Sequence, residues 1–307
     1  MIETWLTREL GLEVPILGAP MGGRAGGRLA AEVTKAGGLG MLGAAGYATP
    51  EWIETESAVA KSAGDFGAGF MVWSLDQDDT ALDLVLAQSP RIVSLSFGDP
   101  ALYVRRVHEA GALVASQIND LDDLAVVEAA GVDIVIAQGA EAGGHTGHVA
   151  TLPLLQEVLD ATTRPVLAAG GIGTGRGLAA VLAAGAQGAL VGTALLASPE
   201  TVGPEYARGK LVAARSTDTV YTSVFDRARN IAWPQRWGGR ALANDFSRRW
   251  HGAQSFDGIE ADYDGSDSDL GVVYAGQIAG TVTAERPVAD VVRALASDAE
   301  ALLRRFA

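Results

Sequence analysis

Eight short apolar runs, each ending in glycine or another small or apolar residue, recur along the first two thirds of the chain. They are PILGAPM (15–21), GLGMLGA (38–44), FGAGFMV (66–72), RIVSLSF (91–97), ALVASQI (112–118), DIVIAQG (133–139), PVLAAGG (165–171) and GALVGTA (188–194). Each is continuous where a half-exposed strand would alternate. A strand of that kind has no solvent face, so it belongs in a parallel sheet covered on both sides. Stretches of helical period separate the runs. Thr49 before Pro50 marks an N-cap and a first helical position, Asp99 and Asn119 or Asp120 mark two further starts, and glycines close several of these stretches. Strand and helix alternating eight times predict an α/β fold, a (β/α)8 TIM barrel over residues 1–205. The competing arrangement is a doubly wound open sheet, which usually has fewer strands and wants a Gly-rich fingerprint after its first strand.

Beyond the barrel the apolar period weakens. Residues 206–275 carry Tyr221, Phe225, Trp233, Trp237, Phe246 and Trp250, and an acidic loop, EADYDGSDSD (260–269). This part reads as a small helical subdomain beside the barrel mouth. Residues 276–307 hold a Pro-started stretch of helical period, PVADVVRALASDAEALLRRF (287–306), expected to pack back on the barrel. Hydrophobic residues make up 48% of the chain, enough for a full core. A net charge of −14 argues against nucleic acid or an anionic membrane surface as partner. The absence of cysteine removes disulfides, thiolate nucleophiles and thiolate metal sites. The start, MIETWLTREL, lacks the features of a secretory leader, and no apolar run is long enough for a bilayer. The expectation is a cytoplasmic protein acting on small molecules, compatible with a homodimer.

In such a barrel, sites lie at the C-terminal ends of the strands, and phosphate often binds after strands seven and eight. Strand seven ends AAGGIGTGRG (168–177) and strand eight ends VGTALL (191–196). Glycines there let backbone N–H groups approach an anion, and Thr193 can donate its hydroxyl. The bland alternative is that these glycines only make tight turns. A dinucleotide fingerprint fails on spacing: the last glycine position falls on Arg176 or on Leu178, depending on the start. A mononucleotide phosphate, as in FMN, fits better than NAD.

The sixth strand leads into GGHTGH (143–148), which holds two of the chain's four histidines. Three readings compete. Glu141, His145 and His148 could ligate zinc or iron. The histidines could be incidental to a turn. Or His145, directly after Gly143 and Gly144, could face substrate as a base or hydrogen-bond donor beside a cofactor. Glycines make a flexible scaffold for metal ligands, which favours the last. His148 then only shapes the loop.

Several blocks together resemble the nitronate monooxygenase family, formerly 2-nitropropane dioxygenases. They are APMGG, KAGGLGMLGA, IVSLSFGDP, AQGAEAGGHTGH, PVLAAGGIGTGRGLAAVLAAGAQGALVGTALLASPE, ALANDF and YAGQIAG, spread over nearly the whole chain. The resemblance implies an FMN-dependent barrel, without metal, that oxidises alkyl nitronates with O2 to a carbonyl compound and nitrite. It implies that Ala19, Pro20 and Met21 line the flavin ring, that Gln138 and Gly143 contact it, and that Gly171, Leu190, Val191, Gly192 and Thr193 hold its phosphate end; Gly144 and Gly170, beside them, join the candidate cofactor site. His145 matches the family's active-site histidine. Two positions depart: Gly69 stands where a G-x-N pattern has asparagine, and Ser116 and Gln117 stand where some members carry lysine. Gln117 remains in the candidate flavin site. The alternatives to nitronate oxidation are a related NAD(P)H-dependent reductase of a quinone or enoyl thioester, and a flavin-binding protein without catalysis.

Overall fold

Residues 2–44 and 48–305 are described in a computed structural model. Nine strands appear up to residue 191: β1 (Ile16–Gly18), β2 (Met41–Gly43), β3 (Gly67–Met71), β4 (Ile92–Ser96), β5 (Leu113–Ile118), β6 (Ile134–Gln138), β7 (Gly144–Thr146), β8 (Val166–Ala169) and β9 (Gly188–Val191). All but β7 pair in parallel, in the order β1-β9-β8-β6-β5-β4-β3-β2. A parallel bridge between Leu17 and Leu39 brings the two ends of that order together. The eight runs are thus the eight barrel strands.

Two buried clusters explain why the runs are continuous. Leu17, Met41, Ile92, Ile134, Ile136, Leu167 and Leu190 pack inside the barrel. Their sequence neighbours Ile16, Leu42, Val93, Val135, Val166 and Val191 pack outward against the helices. Side chains of a strand alternate between faces, and here neither face meets water. Helix Trp5–Leu10 closes the bottom, with Leu6 and Leu10 joining the inner cluster.

Along each strand the inward series changes toward the top. Ile92 is followed two residues on by Ser94 and then Ser96, Ala115 by Gln117, Ile136 by Gln138, and Met41 by Gly43. The upper end of the barrel is therefore small and polar above an apolar floor.

The region 206–275 differs from the sequence expectation. It holds short helices, among them Tyr206–Ala213, Val224–Ala228 and Asp245–Trp250, but also two strands, β10 (Thr219–Thr222) and β11 (Gly238–Leu242). These form an antiparallel sheet with β7, in the order β10-β11-β7, with His145 opposite Gly239. The helical reading needs that correction. Neither strand shows an apolar run, since GGRAL is small and charged, and the partner of β11 on its other side, β7, comes from a segment far earlier in the chain. The last long helix, Val288–Leu303, packs against helices Gly175–Ala183 and Gly27–Lys35. No helix among the described residues is long and apolar enough to cross a membrane.

Candidate active site

The segment read as a loose glycine loop is pinned as strand β7. Gly144 has φ +74°, and a side chain on Gly143 would run into the backbone of Ala275 and Gly276. Glycine at these positions lets the segment press against its neighbours, so it presents His145 on a paired strand.

His145 is buried. Its Nε2 lies 2.9 Å from Oδ2 of Asp226, and both side chains are almost wholly enclosed, 6% and 5% exposed. The Tyr274 hydroxyl donates to the other oxygen of Asp226 at 3.0 Å. Burial first, and then the charge of Asp226, push the Tyr274 phenol well above its ordinary range, so it remains a donor. The imidazole face stacks on Trp233 at 3.4 Å between ring centres and 8° between planes. Trp233 in turn meets Trp73 at 5.0 Å and Phe97 at 5.1 Å, and Phe97 meets Trp237 at 5.4 Å. Phe97 holds φ +63° immediately after β4, a left-handed conformation that costs a bulky residue energy and recurs at functional sites.

The three residues of the metal reading take separate partners. Oε2 of Glu141 accepts from the backbone N–H of Thr151 at 2.7 Å and from its hydroxyl at 2.6 Å. His145 is on Asp226. His148 is exposed, edge-on to Tyr221 at 5.1 Å.

The other sequence-selected positions form a connected rim. The backbone N–H of Ala19 donates to the Val191 carbonyl at 2.9 Å. A Cβ on Gly192 would lie 3.3 Å from Ala19 and 3.4 Å from the Met21 sulfur. The Thr193 hydroxyl accepts from the N–H of Gly276 at 2.9 Å, and Gly276 abuts Gly143. Gly170 (φ +95°) abuts the backbone of Gly139 and Ala142, while at Gly171 (φ +71°) the nearest neighbour of an added Cβ is Glu141 at 3.6 Å. The N–H groups of Gly171 and Gly192 donate to no acceptor among the described residues. Gln138 is buried, its Oε1 accepting from Asn119 at 2.9 Å. Leu190 and Val191 contribute backbone to the rim, since their side chains belong to the inner and outer cores. Pro20 packs against Gly69 so tightly that a Cβ there would lie 2.3 Å from its ring. The Pro20 ring leaves no room for a side chain at position 69 without a shift. Gln117 Nε2 is buried without a partner among the described residues.

Asp226, Tyr274, Trp233 and Asn119 as a site residue were missed by sequence reasoning. The sequence offers Asn119 as a helix cap; Asp120 caps that helix, and Asn119 bridges Gln138 to the Trp237 indole N–H at 2.9 Å. Tyr274 lies in the block YAGQIAG, which carried a resemblance and no role. Asp226 gave no signal.

Comparison with known proteins now adds to this geometry. A profile of the family described as nitronate monooxygenase matches residues 3–72 and 60–298. Over 229 residues the chain is 37% identical to a (3aS,4S,5R,7aS)-5-hydroxy-7a-methyl-1-oxo-octahydro-1H-indene-4-carboxyl-CoA dehydrogenase of Rhodococcus jostii, covering 73% of this chain and 64% of that one. The match therefore spans under two thirds of the length of that relative. Among solved structures, FabK from Thermotoga maritima superposes with a TM-score of 0.88 at 29% identity, covering 100% of this chain and 99% of its own. A nitroalkane oxidase from Streptomyces ansochromogenes superposes with a TM-score of 0.81 at 30% identity, covering 98% and 99%.

Proposed function

The chain belongs to the nitronate monooxygenase family, and from that premise we propose that it uses FMN to oxidise alkyl nitronates with O2 to a carbonyl compound and nitrite. It is a flavin-dependent type of oxidoreductase by family. The observation that carries the finer reading is His145, enclosed beside Asp226 at the mouth of the barrel.

The residues present fit FMN. Unpaired N–H groups on Gly171 and Gly192 offer donors to a phosphate, with left-handed glycine backbone at Gly170 and Gly171 keeping side chains out of the way. The Thr193 hydroxyl accepts from Gly276 and so keeps its own proton to donate. The orphaned Gln117 Nε2 supplies a donor among the polar residues of the upper barrel, suited to a carbonyl of the flavin ring. When bound, FMN supplies the two-electron oxidation and the delivery of those electrons to oxygen. The protein's own part is positional. His145 hydrogen-bonds a substrate oxygen, and accepts a proton where the neutral nitroalkane is used. Trp73, Phe97 and Trp233 screen that imidazole from water.

A second reading, an oxidoreductase acting on a CoA thioester, is favoured by the name of the Rhodococcus relative. The two separate in one assay series on flavin-loaded protein. Nitronate oxidation predicts nitrite release and O2 uptake with a primary or secondary alkyl nitronate, and no need for NAD(P)H. Anaerobic NAD(P)H oxidation dependent on an enoyl thioester or a quinone, with no nitrite from any nitronate, would replace the first reading with the second.

A further inference from the structure

The proposed reaction, on which this inference rests, gives His145 a hydrogen-bonding or proton-accepting role without saying which ring nitrogen performs it. We propose that Asp226 is a positioning residue that holds His145 in its Nε2–H tautomer and leaves Nδ1 as the working atom, with Tyr274 fixing the carboxylate from its other side.

Four observations support this. Nε2 and Oδ2 of Asp226 are 2.9 Å apart in a buried setting, so a hydrogen must lie between them. Tyr274 has one proton and gives it to Oδ1 at 3.0 Å. Burial and the charge of Asp226 keep that phenol protonated. A carboxylate that accepts on both oxygens takes one hydrogen from Tyr274 and the other from the imidazole. No lysine or arginine lies within ion-pair distance of Asp226 among the described residues. Finally, Nδ1 has no hydrogen-bond partner among the described residues and is not among the sealed, unpartnered atoms, so it keeps some exposure.

The charged and titratable groups facing the pair are few. Arg229, three residues beyond Asp226, acts on Tyr274 against the effect of the carboxylate, and Tyr263 acts on it in the same sense as the carboxylate. A proton received at Nδ1 makes an imidazolium already paired with Asp226, so no isolated cation is left in the enclosed site. The parallel stack with Trp233 holds the ring plane in which both nitrogens point.

The test is ¹⁵N NMR of histidine-labelled, flavin-loaded protein, with the His145 signals assigned by their loss in His145→Asn. The wild type should show a protonated Nε2 and a bare Nδ1. In Asp226→Asn that preference should collapse to mixed shifts. Its turnover should fall by about 10²-fold or more with KM within about twofold and flavin content unchanged. Asp226→Glu should restore the tautomer in part. A bare Nε2 in the wild type overturns the proposal without any variant. So does an Asp226→Asn protein with an unchanged tautomer. Because the tautomer is read without substrate, a protein that shows Nε2–H yet releases no nitrite sinks only the functional reading.

Discussion

His145 and His148 stand three residues apart and live in different media. His145 is enclosed between Trp233 and Asp226, whereas His148 is open to solvent with the edge of Tyr221 beside it. The two should respond oppositely to the same substitution. His145→Asn keeps bound flavin, because no cradle group is touched. It should lose about 10²–10⁴-fold in turnover of a neutral nitroalkane, the usual extent of general-base help. The loss with a pre-formed nitronate should be smaller, since no C–H proton then has to leave. His148→Asn should change either rate less than about twofold. Four rate measurements on flavin-replete protein check this, and a crippled His148→Asn would move the chemistry to the other histidine. At this scale the sequence was half legible. The histidines and glycines announce themselves by clustering. Asp226 does not, because VFDRA reads as any short amphipathic segment. Its burial arises only when a residue 81 positions distant packs against it.

The elements that hold these residues are unevenly visible for one physical reason. A strand buried on both faces must be apolar throughout, so each barrel strand leaves a mark in the sequence. The sheet β10-β11-β7 leaves none. Its middle strand begins with two glycines, its last is three residues long, and its pairing joins segments far apart in the chain. The turn after β8 was legible because glycine is the residue that tolerates the left-handed backbone Gly170 and Gly171 adopt, and the glycine after β9 because a Cβ there would crowd Ala19 and Met21. Gly171 tests the turn after β8 directly. An added Cβ meets nothing closer than 3.6 Å, but φ is +71°, so a β-branched residue can be accommodated only by rebuilding the turn. Gly171→Val should therefore abolish FMN retention on gel filtration while the barrel still unfolds cooperatively. Full retention of FMN by this variant would place the phosphate elsewhere.

At the scale of the whole molecule, one division of labour explains the arrangement. The barrel floor is apolar and sealed by helix Trp5–Leu10, while its upper end carries serines, glutamines and free N–H groups. The segments after β9 return over that upper end and deliver what the barrel strands lack: Asp226, Trp233 and Tyr274 around the histidine, and Gly276 on Thr193. In the proposed reaction the barrel's upper end holds the flavin and the returning segments surround the reacting histidine. The names of the similar proteins point to different substrates, a CoA thioester for one and a nitroalkane for the other. The proposed reaction passes electrons from a nitronate to a bound flavin. The direct measurement is anaerobic mixing of the yellow protein with an alkyl nitronate in a stopped-flow spectrometer. The flavin's visible absorbance should be lost without NAD(P)H, and the colour should return with nitrite release on admitting O2. Flavin that keeps its full absorbance with nitronate, yet bleaches with NAD(P)H, would contradict it.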